Sequence, residues 1–325
     1  MSQDKVIQTQ LPKALKNEWL LLTVIVLLVL LFLVTVVNKE QARKTIVPVT
    51  LWPGDEGVVD VAFDSVGELE VFLDQAGIAW LPESNTKIPP LSILAFPVDI
   101  DSVSDIARKK SLFFRSLLPI VMIENYNLGL QREHILALMR LNVEQMTSEE
   151  QAWLQQIAAW YKLDYEPTVT HFWRNLLSRV DNVPAPLVLA QAANESAWGT
   201  SRFARQGNNL FGLWTYDESM GIVPAGREKG QKHAVQVFAT IRDSVREYMR
   251  NLNSHRAYDD FRKARAEHRR LGEPLHAEKL AAGLLPYSQR GQAYVDEIRS
   301  MIRGNRLALV DDVSFEVDRG MNKTF

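Results

Sequence analysis

The chain has 325 residues, of which 46% are hydrophobic and 23% are charged, so it can bury a sizeable core and is not an intrinsically disordered protein. Its formal net charge of −2 gives no whole-chain argument for a nucleic-acid partner. The absence of cysteine excludes disulfide bonds, a thiolate nucleophile and a cysteine-ligated zinc site.

The N-terminal part contains one long apolar run. Residues 1–18 are polar, whereas residues 19–37 are interrupted only by Thr23 and Thr35. A helix of this length can cross the hydrocarbon layer of a membrane, and no small-residue cleavage site of a signal peptide follows it. The sequence therefore predicts an uncleaved signal anchor at 19–37. Lysines and arginines flank both ends equally and leave its orientation open.

Residues 38–103 are predicted to be a stalk or linker region with short elements, which either packs on the domain that follows it or reaches from the membrane. Trp52-Pro-Gly-Asp55 is typical of a turn, and residues 65–76, which precede Gly77, predict a short helix.

From residue 104 the pattern becomes helical. Pro119 is expected to kink or interrupt the first helical run, and residues 132–141 are predicted to form another helix. The capping-box pattern Thr147-Ser-Glu-Glu150 predicts a helix through Trp160, and residues 170–180 a further one.

The next stretch places a carboxylate at an unusual position. Pro184 and Pro186 suit the first turn of a helix, and Gly199 lies where that helix should end, so Glu195 falls in its last turn. The C-terminal end of a helix disfavours negative charge, and such a broken rule indicates function. After it, residues 200–207 predict a short helix capped by Thr200 or Ser201, and residues 210–214 a short apolar strand.

The C-terminal half combines a β-lobe with helices. Glycine and proline within residues 216–237 favour a small β-hairpin lobe, and helices are predicted over 244–253, 259–270, 275–284 and 290–303. Residues 307–325 are predicted to be a flexible tail. The fold class expected is mainly α (α+β), with a helical domain over 104–306 whose core spans about 170–306.

Two ordered motifs and a helical segment carry a family resemblance. They are Asn194-Glu-Ser-Ala-Trp-Gly-Thr-Ser201 with Gly207-Asn-Asn-Leu-Phe-Gly-Leu213, then Leu285-Pro-Tyr-Ser-Gln-Arg-Gly-Gln-Ala-Tyr-Val295, and between them Val245-Arg-Glu-Tyr-Met-Arg-Asn-Leu-Asn253. Together they resemble the Bax-like branch of the bacterial glucosaminidase-type peptidoglycan hydrolases, glycoside hydrolase family 73. The resemblance implies a lysozyme-like fold and, as substrate, the β-1,4 bond that follows N-acetylglucosamine in peptidoglycan.

Hydrolysis of that bond requires a carboxylic acid that is kept protonated by an apolar setting. Glu195 is the candidate general acid, and Trp198, Phe211 and Trp214 are the aromatic residues near enough in sequence to surround it. The alternative is that these aromatics only fill the core. No metal or organic cofactor is expected, since the six histidines show no His-x-x-x-His spacing.

A second catalytic group is sought in the β-lobe, which offers Asp217, Glu218 and Glu228. Glu228 is favoured because it lies within the Bax-like pattern, although it can equally be a solvated residue of a hairpin tip. The substrate's own acetamido group is a further possible nucleophile. Tyr287 matches the active-site tyrosine of the family and is the third predicted catalytic residue, although Ser288-Gln-Arg-Gly291 differs from the Ala-Thr-Asp-Pro of many relatives outside the branch. Without the resemblance, an aromatic residue at this place is more often a packing residue.

Substrate contacts are predicted for five residues that belong to the two motifs. They are Asn208, Asn209, Phe211, Trp214 and Tyr294. For the two asparagines, closing a turn is the alternative that comes first. The excess of Lys and Arg over acidic residues in 227–306 favours a solvated surface that can also help to hold an anionic polymer.

The function predicted is that of a single-pass protein of the inner membrane with an endo-β-N-acetylglucosaminidase domain in the periplasm. Its predicted partners are the peptidoglycan glycan strands, the membrane and an unidentified protein activator. The alternatives are a lytic transglycosylase of the same superfamily and a non-catalytic peptidoglycan-binding scaffold. Activity on the N-glycan core is disfavoured by the cell-wall topology.

Overall fold

A computed structural model of the chain describes Leu27, residues 50–228 and residues 230–316. The predicted segment 1–18, the anchor at 19–37 apart from Leu27, and residues 317–325 of the predicted tail lie outside the described residues. Among the helices of the described part, none is both long enough and apolar enough to cross a membrane.

The described chain is mainly helical. Its α-helices are α1 (Val66–Gln75), α2 (Ile106–Leu138), α3 (Ser148–Trp160), α4 (Thr170–Arg179), α5 (Ala185–Ser196), α6 (Arg202–Gly207), α7 (Ile241–Ser254), α8 (Asp259–Leu271), α9 (Ala277–Leu280) and α10 (Gln292–Gly304). The strands are β1 (Val59–Val61), β2 (Lys87–Ile88), β3 (Leu91–Ile93), β4 (Trp214–Thr215), β5 (Gly221–Ile222), β6 (Ala234–Gln236) and β7 (Ser314–Phe315).

The long helix α2 lies at the centre of the core. It packs against α5, α7 and β3, and its residues from Leu112 to Val121 are all buried. Pro119 lies inside α2 without ending it, and residues 132–138 belong to the same helix. The predicted interruption and the separate second helix are therefore wrong. Burial on several sides outweighs the one backbone hydrogen bond that proline removes.

Residues 50–103 pack against this core, which agrees with the first of the two alternatives for the linker region and not with an extended stalk. β1 pairs in parallel with β3, and the backbone N–H of Ile241 at the start of α7 donates to Leu94 O at 2.9 Å. The predicted helix at 65–76 is present as α1, capped by Ser65. Its Leu69 and Leu73 are buried, and this apolar face is the physical reason why the segment folds onto the body.

A buried charge network fixes the start of this segment. The Arg246 guanidinium on α7 donates to both carboxylate oxygens of Glu124 on α2 at 2.8 Å, and to Asp55 at 2.8 Å and 2.9 Å. Its plane lies 4.2 Å from the ring centroid of Trp52. Glu124 is only 2% exposed, so this pairing compensates a carboxylate that water does not reach.

The predicted β-lobe is a three-stranded antiparallel sheet of order β4-β6-β5. The strand predicted at 210–214 is wrong except for Trp214, because the backbone of 208–213 is held by an asparagine side chain instead. At Gly221 a Cβ atom would lie 2.6 Å from the Cβ of Ala234, so the close approach of β5 and β6 requires glycine there.

The C-terminal helices α7, α8 and α10 lie where the sequence predicted them, and α9 is shorter than expected because residues 281–287 form a 3-10 helix. The tail predicted from residue 307 is folded as far as residue 316. Residues 307–312 form another 3-10 helix with Leu307 and Val310 buried, and β7 pairs in parallel with β2. Burial of the Leu307 and Val310 side chains explains why residues 307–312 are folded.

Candidate active site

Glu195 lies in the last turn of α5, as the sequence predicted. The helix ends at Ser196 and is followed by a run of left-handed residues, Ala197, Trp198 and Gly199, with φ of 49°, 62° and 78°. The Ser196 hydroxyl donates to Ala192 O at 2.6 Å and accepts from the Gly199 N–H at 2.8 Å. This tight reversal fixes the backbone that carries Glu195 and is a strained conformation of the kind found at functional sites.

The Glu195 carboxyl is half-buried. Burial raises its pKa, while the Tyr294 hydroxyl and the Asn194 amide, at 3.4 Å from Oε1, oppose that rise by stabilising the ionised form. The net direction is upward, because the loss of hydration outweighs the two hydrogen bonds. A carboxyl group with this behaviour is suited to proton donation.

Four tyrosines from four other segments lie near the Glu195 carboxyl. They are Tyr248, Tyr258, Tyr287 and Tyr294, and we call them the tyrosine cluster. The rings of Tyr287 and Tyr294 stack with centroids 5.4 Å apart, and Tyr248 stacks on Phe211 at 3.9 Å. Burial, with the nearby Glu195 carboxylate as a further cause, raises the pKa of all four hydroxyls, that of Tyr258 to about 12.

Gln191 connects the tyrosine cluster to α5. It is fully buried one turn before Glu195, its Nε2 donates to the Tyr294 hydroxyl at 2.8 Å, and its Oε1 accepts from the Tyr248 hydroxyl. Because the Tyr294 oxygen accepts from Gln191, its own proton is directed towards another acceptor, and Glu195 is the carboxylate with which it interacts. The Gln191 amide therefore orients the rings of Tyr248 and Tyr294, and Tyr294 is the hydrogen-bond donor to Glu195.

The aromatic residues that the sequence placed around Glu195 are only partly the ones found there. Phe211 joins the tyrosine cluster, and its carbonyl accepts from the Tyr287 hydroxyl at 2.9 Å. Trp198 packs instead on α2, with its ring 5.8 Å from Phe113 and 5.2 Å from Phe114. Trp214 is 58% exposed and lies 4.1 Å from the His233 ring. The left-handed turn after α5 directs the Trp198 side chain away from Glu195 and towards α2.

A cleft of about 640 Å³ adjoins the tyrosine cluster. The loop leading into β4 lines one side of it, and α7 with the segment after it lines the other. Phe211, Trp214 and Tyr287 all line this cleft, so the structure brings three of the predicted site residues together. Tyr294 is 2% exposed and stacks behind Tyr287, where it can act on Glu195 rather than on a ligand in the cleft.

The two asparagines hold the loop between α6 and β4. Asn209 is buried, its Nδ2 donates to Leu213 O and Gln236 O at 2.9 Å, and its Oδ1 accepts from two backbone N–H groups of the loop. Asn208 is left-handed and donates to Phe238 O and Ala239 O. This use of both amides favours the turn role over the predicted contact with sugar.

The lobe carboxylates have partners within the lobe, and none of them is a cause of the pKa shift of Glu195. Glu228 is exposed between β5 and β6 and accepts from Gln231 at 3.1 Å, while Glu218 pairs with Arg227 at 2.6 Å. The carboxylate whose charge raises the pKa of Glu195 is Glu297 on α10, one turn after Tyr294, and it is itself bound by Arg290. Glu297, Gln191, Tyr248 and Tyr258 were not predicted as site residues. The one signal for Gln191 was its four-residue spacing from Glu195 on one helix.

Metal binding has no candidate in the described part of the chain, since no group of three or more His, Asp or Glu residues there could hold an ion. The site chemistry available is therefore that of one half-buried carboxyl, the hydroxyls around it and the cleft beside it.

Comparisons with known proteins agree with this geometry. Residues 173–307 match the glucosaminidase family model, described as mannosyl-glycoprotein endo-beta-N-acetylglucosaminidase. The protein named Protein bax from Escherichia coli strain K12 is 33% identical over 199 residues, which cover 61% of this chain and 70% of that protein. No solved structure matches the chain significantly.

Proposed function

Because this chain belongs to the glucosaminidase family, a family of glycosidase-type enzymes, we propose that it hydrolyses the glycan strands of peptidoglycan as an endo-β-N-acetylglucosaminidase. The observation that carries the proposal is Glu195, a half-buried carboxyl with a raised pKa whose charge acts on Tyr258 and Tyr287, two of the residues that line a cleft of about 640 Å³. Polar and aromatic lining of this kind suits a sugar polymer, and a shifted carboxyl beside a cleft is typical of an active site.

In this mechanism Glu195 donates its proton to the glycosidic oxygen as the bond from that oxygen to C1 breaks. The raised pKa keeps a larger fraction of Glu195 protonated at a given pH than an exposed glutamate would have. Tyr294, held by Gln191, donates to the carboxylate that remains and so stabilises it after transfer.

The substrate's own acetamido group takes part in both halves of the reaction. Its carbonyl oxygen attacks C1 as the glycosidic bond breaks and forms a cyclic oxazolinium ion; in the second half water opens this ring at C1 and gives up a proton to Glu195. Two features support this route over a second carboxylate. No lobe carboxylate contacts Glu195 in the part of the chain that the structure describes, and Glu297 is neutralised by Arg290.

The same single-acid arrangement favours one second candidate, a lytic transglycosylase. There the acid would again protonate the leaving oxygen, but an internal hydroxyl of muramic acid would replace water and leave an anhydro end. The bond cleaved and the end formed therefore distinguish the two activities.

The cellular setting is part of the proposal. We place the protein at the inner membrane, anchored by residues 19–37, with residues 50–316 in the periplasm where peptidoglycan lies. The apolar length of that run and the nature of the substrate support this placement.

The test is digestion of purified sacculi by the wild-type chain, Glu195→Gln and the matched control Glu133→Gln, an exposed glutamate near the C-terminal end of α2. We expect reducing N-acetylglucosamine ends from the wild type and the control, and a loss of at least about 100-fold in Glu195→Gln, as is usual for a general acid. Activity of Glu195→Gln equal to the control would refute the role of Glu195. Anhydro ends would replace the proposed hydrolase by the transglycosylase.

A further inference from the structure

The cleft beside the tyrosine cluster has one end of distinct character, which we call the cationic end and define by Lys162, Arg250, Asn251 and His255. The opposite wall is formed by β4 and the loop before it, with the exposed rings of Trp214 and Tyr216. A neutral sugar chain needs hydroxyl and apolar partners, so an exposed lysine, Lys162, in the same cleft calls for another explanation.

Arg250 is held in a fixed orientation. Its Nε and one terminal nitrogen donate to the two oxygens of Glu247 at 2.7 Å and 2.6 Å, and the guanidinium lies 4.6 Å from the Trp160 ring centroid. Glu247 thus neutralises this cation while fixing its plane. The net positive charge of the cleft end therefore comes from another residue.

Lys162 supplies that charge. It follows α3 in a left-handed conformation with φ of 58°, and Arg179 locks the turn by donating to the carbonyls of Tyr161 and Lys162 at 2.6 Å and 2.8 Å. Its side chain is exposed, and it forms no ion pair within residues 50–228 and 230–316. A rigid backbone thus presents a solvated ammonium group to the cleft.

Further cations lie behind Lys162. Arg262 is buried under the end of α7 and donates to Leu252 O and His255 O, and Arg256 is exposed beside it. The pKa of His255 is lowered, first by burial and then by the charges of Lys162, Arg256 and Arg262. Asp259 pairs with Arg262, as Glu247 does with Arg250, so Lys162 and Arg256 are the cations at this end that form no ion pair in the described part of the chain, and they favour an anionic ligand.

We propose that the cationic end is a carboxylate subsite, in which Lys162 binds an acidic group carried by the glycan substrate. The inference rests on the proposed function and deepens it by naming the group of the substrate that this end of the cleft recognises. Lys162 lines the same cleft as Tyr258 and Tyr287. A glycan that fills this cleft therefore meets both the tyrosine cluster and Lys162.

Two chemical sources of the carboxylate exist in peptidoglycan, the lactyl group of the muramic acid and the stem peptides. The test is a titration of the full chain with soluble glycan strands that carry free lactyl groups only, and with strands that carry stem peptides, each compared with the same strand after amidation of its carboxylates. All proteins carry Glu195→Gln, so that no strand is cleaved during the titration, and are otherwise wild type or bear Lys162→Met, Lys162→Arg or the control Lys87→Met, whose lysine is exposed on β2 outside the cleft. Calorimetry gives the dissociation constant.

We expect the otherwise wild-type protein to bind at least one acidic strand roughly two- to fivefold more tightly than its amidated form, the ratio typical of an exposed ion pair. Lys162→Met should abolish that ratio without weakening binding of the amidated strand, whereas Lys162→Arg and Lys87→Met should retain it. The ratio should also approach one at about 1 M salt, where the screening length is ~3 Å. The kind of strand that shows the preference, with lactyl groups only or with stem peptides, identifies the source of the carboxylate.

Equal binding of acidic and amidated strands, or a preference that survives Lys162→Met, would overturn the subsite and leave the hydrolase proposal intact. Charge-selective binding, with no turnover of sacculi by the wild-type chain, would overturn the hydrolase and retain the subsite. Failure of every strand to bind would overturn both.

Discussion

Replacement of Arg246 by methionine tests how the N-terminal segment is held on the body. The substitution removes both hydrogen bonds to Glu124 and those to Asp55, and it leaves a 2% exposed carboxylate without a partner. An uncompensated buried charge costs about 3–5 kcal/mol, which lowers the melting temperature of a domain of this size by roughly 6–20 °C. Thermal and urea denaturation followed by circular dichroism measure both quantities.

The pH dependence of this loss has a definite sign. Burial raises the pKa of Glu124 against the lowering effect of Arg246, so removing Arg246 raises that pKa further. The buried group is charged only above its pKa. The penalty of Arg246→Met should therefore be full near pH 7 and should shrink as the pH falls towards about 4.5, where an ordinary glutamate is half protonated.

Two variants decide whether the reasoning holds. Arg108→Met removes an exposed pair with Glu70 and should cost less than about 1 kcal/mol. The double variant Arg246→Met with Glu124→Leu removes both buried charges and should regain most of the stability lost in the single variant. If Arg246→Met costs no more than Arg108→Met, or if the double variant is no more stable than the single one, the network does not hold the segment.

Two further predictions concern the site. Gln191→Leu should reduce kcat by roughly 10–100-fold with a smaller change in KM, because it releases Tyr294 and leaves the buried Tyr248 hydroxyl without its acceptor. An unchanged kcat in a folded variant would show that Gln191 does not position the acid. Glu297→Gln removes a charge that raises the pKa of Glu195, so the alkaline limb of the kcat/KM profile, where activity falls as Glu195 loses its proton, should move to lower pH. A limb that stays in place, or moves up, would contradict this coupling.

The motifs were sufficient to predict the family, which the comparisons confirm, and the place of Glu195 in its helix. Proline at the start of α5 and glycine at its end are local signals, so a single sequence contains them. The supporting residues were not predictable in the same way. Gln191 stands in a row of small residues, and its partners Tyr248 and Tyr294 lie 57 and 103 positions away.

The N-terminal region shows the same limit. Trp52-Pro53 correctly indicated a turn, but nothing near it in the sequence shows that Arg246 lies against the Trp52 ring, nearly two hundred residues later. Pro119 gave the opposite error. The rule that proline interrupts a helix predicted a break in α2, and tertiary packing prevents that break. In both cases the missing information is the identity of a distant partner.

The choice of an amide at Gln191 has a consequence for how the site responds to its surroundings. An amide does not titrate, so its hydrogen bonds to Tyr248 and Tyr294 have the same donor and acceptor in acid and in base. A histidine or a glutamate at this place would exchange those roles as protons were gained or lost. The scaffold behind the acid is therefore indifferent to pH, and Glu195 can change its charge during each turnover without its neighbours having to rearrange.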